Sequence, residues 1–475
     1  MALPGVRAQL MDLYSALRYR SDIATPRVLC IGRMLVSGAA NLHDPARYTT
    51  EASVVSAFGT GSELHKAFVE LLQSGATDIW LEAISPSADR FEQLELAYES
   101  AEGALPEIIV PYGKGTDTSG VDAGVQPTDG AYANVSSSEN VTNEVQTFLT
   151  DTITVNLPYE VTVSSVTGHT RATPVEFEEN THYTYDSTSG VITRVDVEDG
   201  IEEGESVQVD YSYEANYANQ LATWCERFTD LGIPCIGVIG CQPLEKSEGD
   251  DADYINESQK QDELDDLLDE LPVRGSETVD ADLGERGKYI SVVLGECKMV
   301  SQNSSWGFNN CACPYAGKMA TLPVQSAPTN KPLYNVNALR YTFSRSYAET
   351  FTDAGVTCVS IDSNDSPSIV DATTYAAEGS DYWRLSTIRI TMEAIKQVTL
   401  ASMKFIGEGA SNERRNALET AIRGVLHNMK RAGALNDADF HITFYASEHT
   451  ATVDLILTPA WEIRIIRETV TIQTD

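Results

Sequence analysis

An interrupted rhythm constrains this chain more than any other feature. Between residues 27 and 113, short apolar runs alternate with amphipathic stretches. RVLCIGRML reads as a buried strand, and residues 62–74 carry Leu64, Phe68, Leu71 and Leu72 at helical spacing. TDIWLEAI (strand), ADRFEQLELAYESAEGA (helix) and EIIVPYG (strand) follow. Strands alternating with helices of about 10–15 residues form βαβ units around a mostly parallel sheet. From about residue 114 to residue 214 the rhythm stops. The stretches DTITVNL, YEVTVSSVTG, HYTYD, GVITRVDV and ESVQVDYSYE are short, alternate with period two and are separated by turn residues such as those at 186–190. This predicts an all-β module, a sandwich or small barrel. The α/β rhythm then resumes, with Leu221, Trp224, Cys225, Phe228 and Leu231 on one face of a helix and the strand IPCIGVIG after it. Leaving and re-entering at a loop is how an inserted domain is tolerated.

A chain of 475 residues exceeds what one hydrophobic core organises, since domains run to roughly 100–200 residues. The expected fold class is α/β and α+β multidomain. An N-terminal arm over 1–22 precedes an α/β domain over 23–113 and 215–371, interrupted by the all-β insert at 114–214. A C-terminal α+β domain over 372–475 ends in a strand-forming arm. In that last part, residues 385–405 and 411–432 read as two long helices, FHITFYAS and TVDLILTP as strands, and WEIRIIRETVTIQ as a closing alternating segment.

Charge and cysteine usage exclude several function classes. The formal charge of −37, from 33 basic against 70 acidic residues, repels nucleic acid phosphates, and no basic stripe with interleaved aromatics appears. No nucleic acid partner is expected. After Lys114 the β-rich stretch holds only Arg171 and Arg194 as basic residues. A second acidic stretch, residues 245–286, sets Leu264, Leu267, Leu268 and Leu271 at helical spacing, which predicts an amphipathic surface helix. It lacks the D-x-D-x-D-G pattern of a calcium loop. The N-terminus, MALPGVRAQLMDLYSALRYRSD, shows no apolar h-region, and the longest apolar runs are about half of a membrane span. Neither secretion by a signal peptide nor membrane insertion is expected.

Eight cysteines in so long a chain are not a disulfide scaffold, and the lone C-x-C pair Cys311 and Cys313 lacks the partners of a zinc site. Reduced, buried thiols are the expectation; cross-linking of Cys311 or Cys313 at subunit borders is the alternative.

Motifs for catalysis are missing. No G-x-G-x-x-G follows a strand, and no G-x-x-x-x-G-K-[ST] occurs. Gly59, Thr60, Gly61 and Ser62 precede a helix, where backbone amides can hold a phosphate. They read more simply as a turn at Gly61 and a helix cap at Ser62. The histidines (His43, His65, His169, His182, His427, His441 and His449) are scattered and form no H-E-x-x-H. No catalytic residue, cofactor or metal is expected.

Several stretches, in serial order, carry a family likeness. They are LPGVRAQLMD, FGTGSELHKAFVELLQSGATDIWLEAI, YAGKMATLPVQSAPTNKPLYNVNAL, ETFTDAGVTCVSID, DATTYA, RLSTIRITMEAIKQ, the helix through GALNDADF, and LILTPAWEIRIIRETVTIQ. Together they resemble the phage tail sheath family over nearly all of the chain except 114–214 and 245–286. The resemblance implies a structural subunit, not an enzyme, that polymerises helically in hexameric rings around a tail tube. Such a sheath contracts to drive the tube through a host envelope. The implied partners are copies of itself, the tail tube protein, and the baseplate and tail terminator proteins. The implied place is the virion tail, assembled in the host cytoplasm. The alternatives are an α/β enzyme or nucleotide-binding protein with a β insert, or another virion surface or adhesion protein.

Two sets of residues follow as candidates. The tail after residue 460 alternates apolar and polar residues at Ile463, Ile465, Val470 and Ile472, and the N-terminal arm offers Val6, Leu10 and Leu13. Both are expected to add strands to neighbouring C-terminal domains, since an open strand edge invites pairing. In the helix over 411–432, Leu418, Ile422, Val425, Leu426 and Met429 define an apolar face, with Arg423, His427, Lys430 and Arg431 opposite. These four are the candidate tube-facing cations; cations suiting the last turns of a helix dipole are the alternative reading.

Overall fold

The computed structural model describes residues 26–113, 131–133, 136–148, 150, 152–154, 162–169, 175–186, 191–197, 200–202, 204–242, 257–272, 283–300, 306–362, 365–407, 411–445 and 450–460. The expected arm at 1–22 and the closing segment after residue 460 lie outside the described residues. So do Val6, Leu10, Leu13, Ile463, Ile465, Val470 and Ile472.

The first stretch runs β1 (Arg27–Arg33), β2 (Ala46–Tyr48), α1 (Glu51–Phe58), α2 (Glu63–Gln73), β3 (Asp78–Ile84), α3 (Arg90–Ala101) and β4 (Ile108–Pro111). Between its terminal arginines β1 is apolar because it is covered on both faces. Leu29 and Ile31 point into one core, Val28 and Cys30 into the other. Helix starts follow the capping residues: Ser62 accepts from the backbone N–H of His65, and Asp89 from that of Glu92.

The β-rich stretch comprises β5 (Ser136–Thr147), β6 (Thr152–Thr154), β7 (Thr162–Gly168), β8 (Glu176–Phe177), β9 (Tyr183–Asp186), β10 (Val191–Arg194) and β11 (Ser206–Asn216). These form two antiparallel sheets, β5-β11-β7-β8 and β6-β10-β9, that share a core of Phe148, Ile153, Val166, Phe177, Ile192, Val207 and Val209, among others. β5 was not legible in the sequence. SSSENVTNEVQT is too polar and too irregular to alternate, and its strand form rests on a long pairing with β11.

β11 runs directly into α4 (Tyr217–Asp230), whose cap Asn216 accepts from the N–H of Asn219 at 2.6 Å. Leu231, expected on the apolar face of this helix, instead closes it as the C-cap and is only half-buried. Then come β12 (Ile236–Gly240), α5 (Glu257–Glu270), β13 (Ile290–Leu294), β14 (Glu296–Met299), β15 (Asn309–Asn310), α6 (Ala312–Thr321), β16 (Val336–Leu339), α7 (Arg345–Asp353), β17 (Val356–Ile361) and β18 (Pro367–Ile369). In and just after the acidic α5, Leu264, Leu267 and Leu271 are buried in the sheet's core and Leu268 packs against it, as the spacing requires.

The central sheet has the order β18-β17-β13-β12-β4-β1-β3-β2. β3, β1, β4, β12, β13 and β17 are parallel, with β2 and β18 antiparallel at the two edges. The chain lays β2 and β3 on one side of β1 and then crosses to the other side for β4 and every later strand of this sheet. α3, α4 and α5 cover one face; α1, α2 and α6 cover the other. The chain continues through α8 (Leu385–Met403), α9 (Asn412–Arg431), β19 (Leu435–Tyr445) and β20 (Thr450–Pro459). β19 begins five residues before the expected FHITFYAS, because Leu435 and Asp437 already pair with β20 across a register shift.

Candidate interaction surface

β19 and β20 make a two-stranded antiparallel hairpin laid on α8 and α9. Its period-two alternation is clear. Phe440, Ile442, Phe444, Val453, Leu455 and Leu457 face Ile390, Ala394, Val398, Leu418, Ile422 and Leu426 of the helices. His441 and Asp454 pair on the opposite face, beside Tyr445 and an Ile456 that is 66% exposed. Even the inward apolar side chains are only partly buried. An isolated two-stranded hairpin is marginal in water, and packing on a helix is what sustains it. Among the described residues no third strand joins it, so each strand has one outer edge without a strand partner, on which the Phe440 N–H turns to Asp439 Oδ1 at 2.9 Å.

α8 fixes this layer to the central sheet. Leu385, Ile388 and Met392 belong to the sheet's core, whereas Ile390, Ala394 and Val398 belong to the hairpin's core. Arg384 forks onto both oxygens of Asp371 at 3.0 and 3.1 Å. The buried Arg389 donates to the carbonyls of Met319, Leu322 and Ser326 at 3.1, 2.8 and 3.0 Å. Two of these carbonyls lie at the end of α6, where helix C=O groups lack intrahelical partners. Burial pulls the pKa of Arg389 down to about 10. Lys396 reaches Glu107 at 3.2 Å. Sequence reasoning missed Arg389; an arginine between isoleucines on a helix face that turns out to be buried was the available signal.

The four candidate cations all lie exposed along α9, on the side away from Leu418, Ile422, Leu426 and Met429, and Val425 is half-buried. They are not equivalent. Arg423 pairs with Glu419 at 2.8 Å and sits 5.3 Å from the Phe440 ring centre; Lys430 pairs with Asp437 at 2.9 Å. The Lys430 hydrogen bond holds the Asp437 carboxyl below its ordinary pKa. For His427 and Arg431 no partner is found among the described residues.

The remaining candidates resolve simply. Gly61 adopts a left-handed conformation (φ 83°) and Ser62 caps α2, so this segment is a turn and a cap. The described histidines stay dispersed, and among the described residues no cluster of three or more metal-ligating side chains forms. Cys311 and Cys313 are fully buried, which corrects the notion of thiols at a subunit border. The Cys313 Sγ lies 4.0 Å from that of Cys30, and this contact together with burial pushes the Cys313 thiol well above its usual pKa. A buried neutral thiol is inert towards a neighbouring chain.

No protein-family model matches the sequence, and no curated protein matches it. Solved structures do. A chain of the anti-feeding prophage helical sheath in the contracted state is similar at a TM-score of 0.55 and 11% identity, over 95% of this chain and 94% of that one. A chain of the six-fold symmetrised anti-feeding prophage baseplate gives the same values. A chain of the contracted sheath complex of an extracellular contractile injection system, PVC, is similar at 0.50 and 9% identity, over 94% and 91% of the two chains. The chain therefore shares its fold, almost end to end, with proteins of contractile sheath assemblies.

Proposed function

We propose that this chain is a structural subunit of a contractile sheath. In this reading it polymerises helically around a tail tube and contracts to drive the tube through a cell envelope. The observation that carries the reading is the end-to-end likeness, over 95% of this chain, to a chain of a contracted helical sheath. A likeness confined to the α/β sheet would have been shared by many unrelated proteins. Here it extends to the hairpin layer as well.

The open hairpin supports a route to polymerisation. The two arms, with Val6, Leu10 and Leu13 at one end and Ile463, Ile465, Val470 and Ile472 at the other, add strands to the β19–β20 edges of neighbouring subunits. Main-chain ladders then hold the assembly while packed faces switch, because a ladder can hinge at its linker. The α9 face with His427 and Arg431, and with Arg423 and Lys430 more weakly, seats the tube. Residues 114–214 form an insert placed on the outer surface, the α/β domain spans 23–113 and 215–371, and the polymerising domain spans 372–475. Baseplate and terminator proteins complete the particle, in a virion tail assembled in the host cytoplasm.

Electron microscopy of the purified protein in negative stain tests this. Tubes or rings are expected from the full chain, and folded monomers that do not polymerise from truncations of residues 1–14 or 462–475. Full-length sheaths built by either truncated protein would remove that arm from the scheme.

A further inference from the structure

In open parallel sheets, ligands bind outside the carboxyl ends of the strands, where the strand order reverses. Here the reversal lies at β1, with β3 on one side and β4 on the other. The groups at that point are Arg33, which ends β1, Tyr112, which follows β4, and Arg90, which opens the helix after β3. What they surround is the side chain of Glu63. Arg90 donates to its two oxygens at 2.6 and 3.0 Å, and the backbone N–H of Arg33 donates to one of them at 2.7 Å. The Arg90 and Glu63 side chains are 1% and 9% exposed. Gly32 lets the backbone come this close: a Cβ there would stand 3.3 Å from the Glu63 Cβ and 3.4 Å from its Oε2. A guanidinium fork, a main-chain amide and a glycine of close approach are the parts with which proteins hold a carboxylate or phosphate ligand.

We infer that the ligand position of the central sheet is a built anion site, permanently occupied by the chain's own Glu63 carboxylate. The ligand class it accepts is a small carboxylate, supplied from within. Burial alone pushes the Glu63 pKa up, but the charge and hydrogen bonds of Arg90 and the Arg33 amide outweigh it and hold the group ionised, below its ordinary value. The carboxylate therefore stands where an external anion would otherwise meet Arg90 and the Arg33 amide. The inference concerns the sheet alone and does not depend on the chain forming a sheath.

Chemical rescue tests it. Glu63→Ala removes two carbons and two oxygens, the heavy atoms of acetate. The full-length variant should melt several degrees below the parent. Sodium acetate should raise its midpoint saturably and recover about half or more of the loss, beyond sodium chloride at equal ionic strength. The parent, Glu63→Gln (which fills the space without the charge) and the double variant Glu63→Ala with Arg90→Met should respond to the two salts alike. Should Glu63→Ala fail to fold in chloride, its refolding yield in acetate replaces the midpoint. Equal responses of Glu63→Ala to acetate and chloride, in midpoint or in yield, would overturn the inference. So would an acetate response of Glu63→Gln as large as that of Glu63→Ala.

Discussion

The central sheet and the C-terminal hairpin are both β-structure packed on helices, but they are finished to different degrees. β1, β4, β12 and β13 sit inside the sheet with helices on both faces, and Leu29, Ile109, Val238 and Val292 are 0% exposed. The hairpin is covered on one face only, leaves Ile456 largely exposed and keeps both outer edges unpaired among the described residues. Ion pairs follow the same division. In the small β15-β14-β16 sheet that continues from β13, Arg340 and Glu296, paired at 2.7 Å, are each 1% exposed, whereas the Arg423–Glu419 pair on α9 is 66% and 50% exposed. The sheet region is a completed core, whereas the core of the hairpin is incomplete among the described residues.

The comparison breaks most visibly in the sheet. Phe68→Ala, at a fully buried position of α2, should cost about 3–5 kcal/mol in a denaturant titration. Arg340→Met takes the guanidinium away from the buried Glu296 carboxylate and should cost a similar amount, about 3–5 kcal/mol. A loss under 1 kcal/mol in either variant would mean that the sheet is no more finished than the hairpin.

A pH titration sharpens the same contrast. Burial raises Glu70 and Glu82 to about 8, and Ser100 hydrogen-bonds the Glu82 carboxyl. For a group whose folded pKa is raised, the stabilising contribution is complete below the ordinary value of 4.5 and is lost as the pH rises through about 8. Glu82→Gln should therefore be close to neutral at pH 4 and should stabilise by several kcal/mol, on the order of 4, at pH 8. Thermal melts at the two pH values check this, and an effect independent of pH would contradict the buried neutral acid.

Hairpin substitutions should show the reverse pattern, small in stability and large in assembly. Ile442→Ala, half-buried against α9, should cost about 1 kcal/mol, and Ile456→Ser less than about 0.5 kcal/mol, yet both should reduce polymer yield in negative stain. The smallest expected change in stability is at the cations. His427→Glu with Arg431→Glu should leave the unfolding free energy within about 0.5 kcal/mol of the parent while impairing sheath formation on tubes. Normal tails from that variant would remove α9 from the tube-facing surface.

Much of the framework was legible because it rests on local periodicity. The runs at 28–32 and 236–240 are continuous and apolar, as strands covered on both faces must be, and α4 and α9 carry their apolar stripes at helical spacing. The cap at Ser62 was readable for the same reason, since capping acts over three residues. β5 escaped because its polar sequence is held by its partner and not by its own pattern. The alternation of 440–444 showed that a half-covered strand was present, and the resemblance in the surrounding stretches pointed to the sheath fold.

What only the tertiary structure decided is which distant groups meet. The strand order around β1, the burial of Arg389 against three carbonyls at and just beyond the end of α6, and the clasp of Arg90 on Glu63 each join residues dozens of positions apart. By itself the sequence determined where backbone hydrogen bonds close locally and which face of each element avoids water. It could not determine that Arg90 and Glu63 are partners among 33 basic and 70 acidic residues. A charge carries no periodicity that names its counter-charge, and only the packed chain removes both from water together.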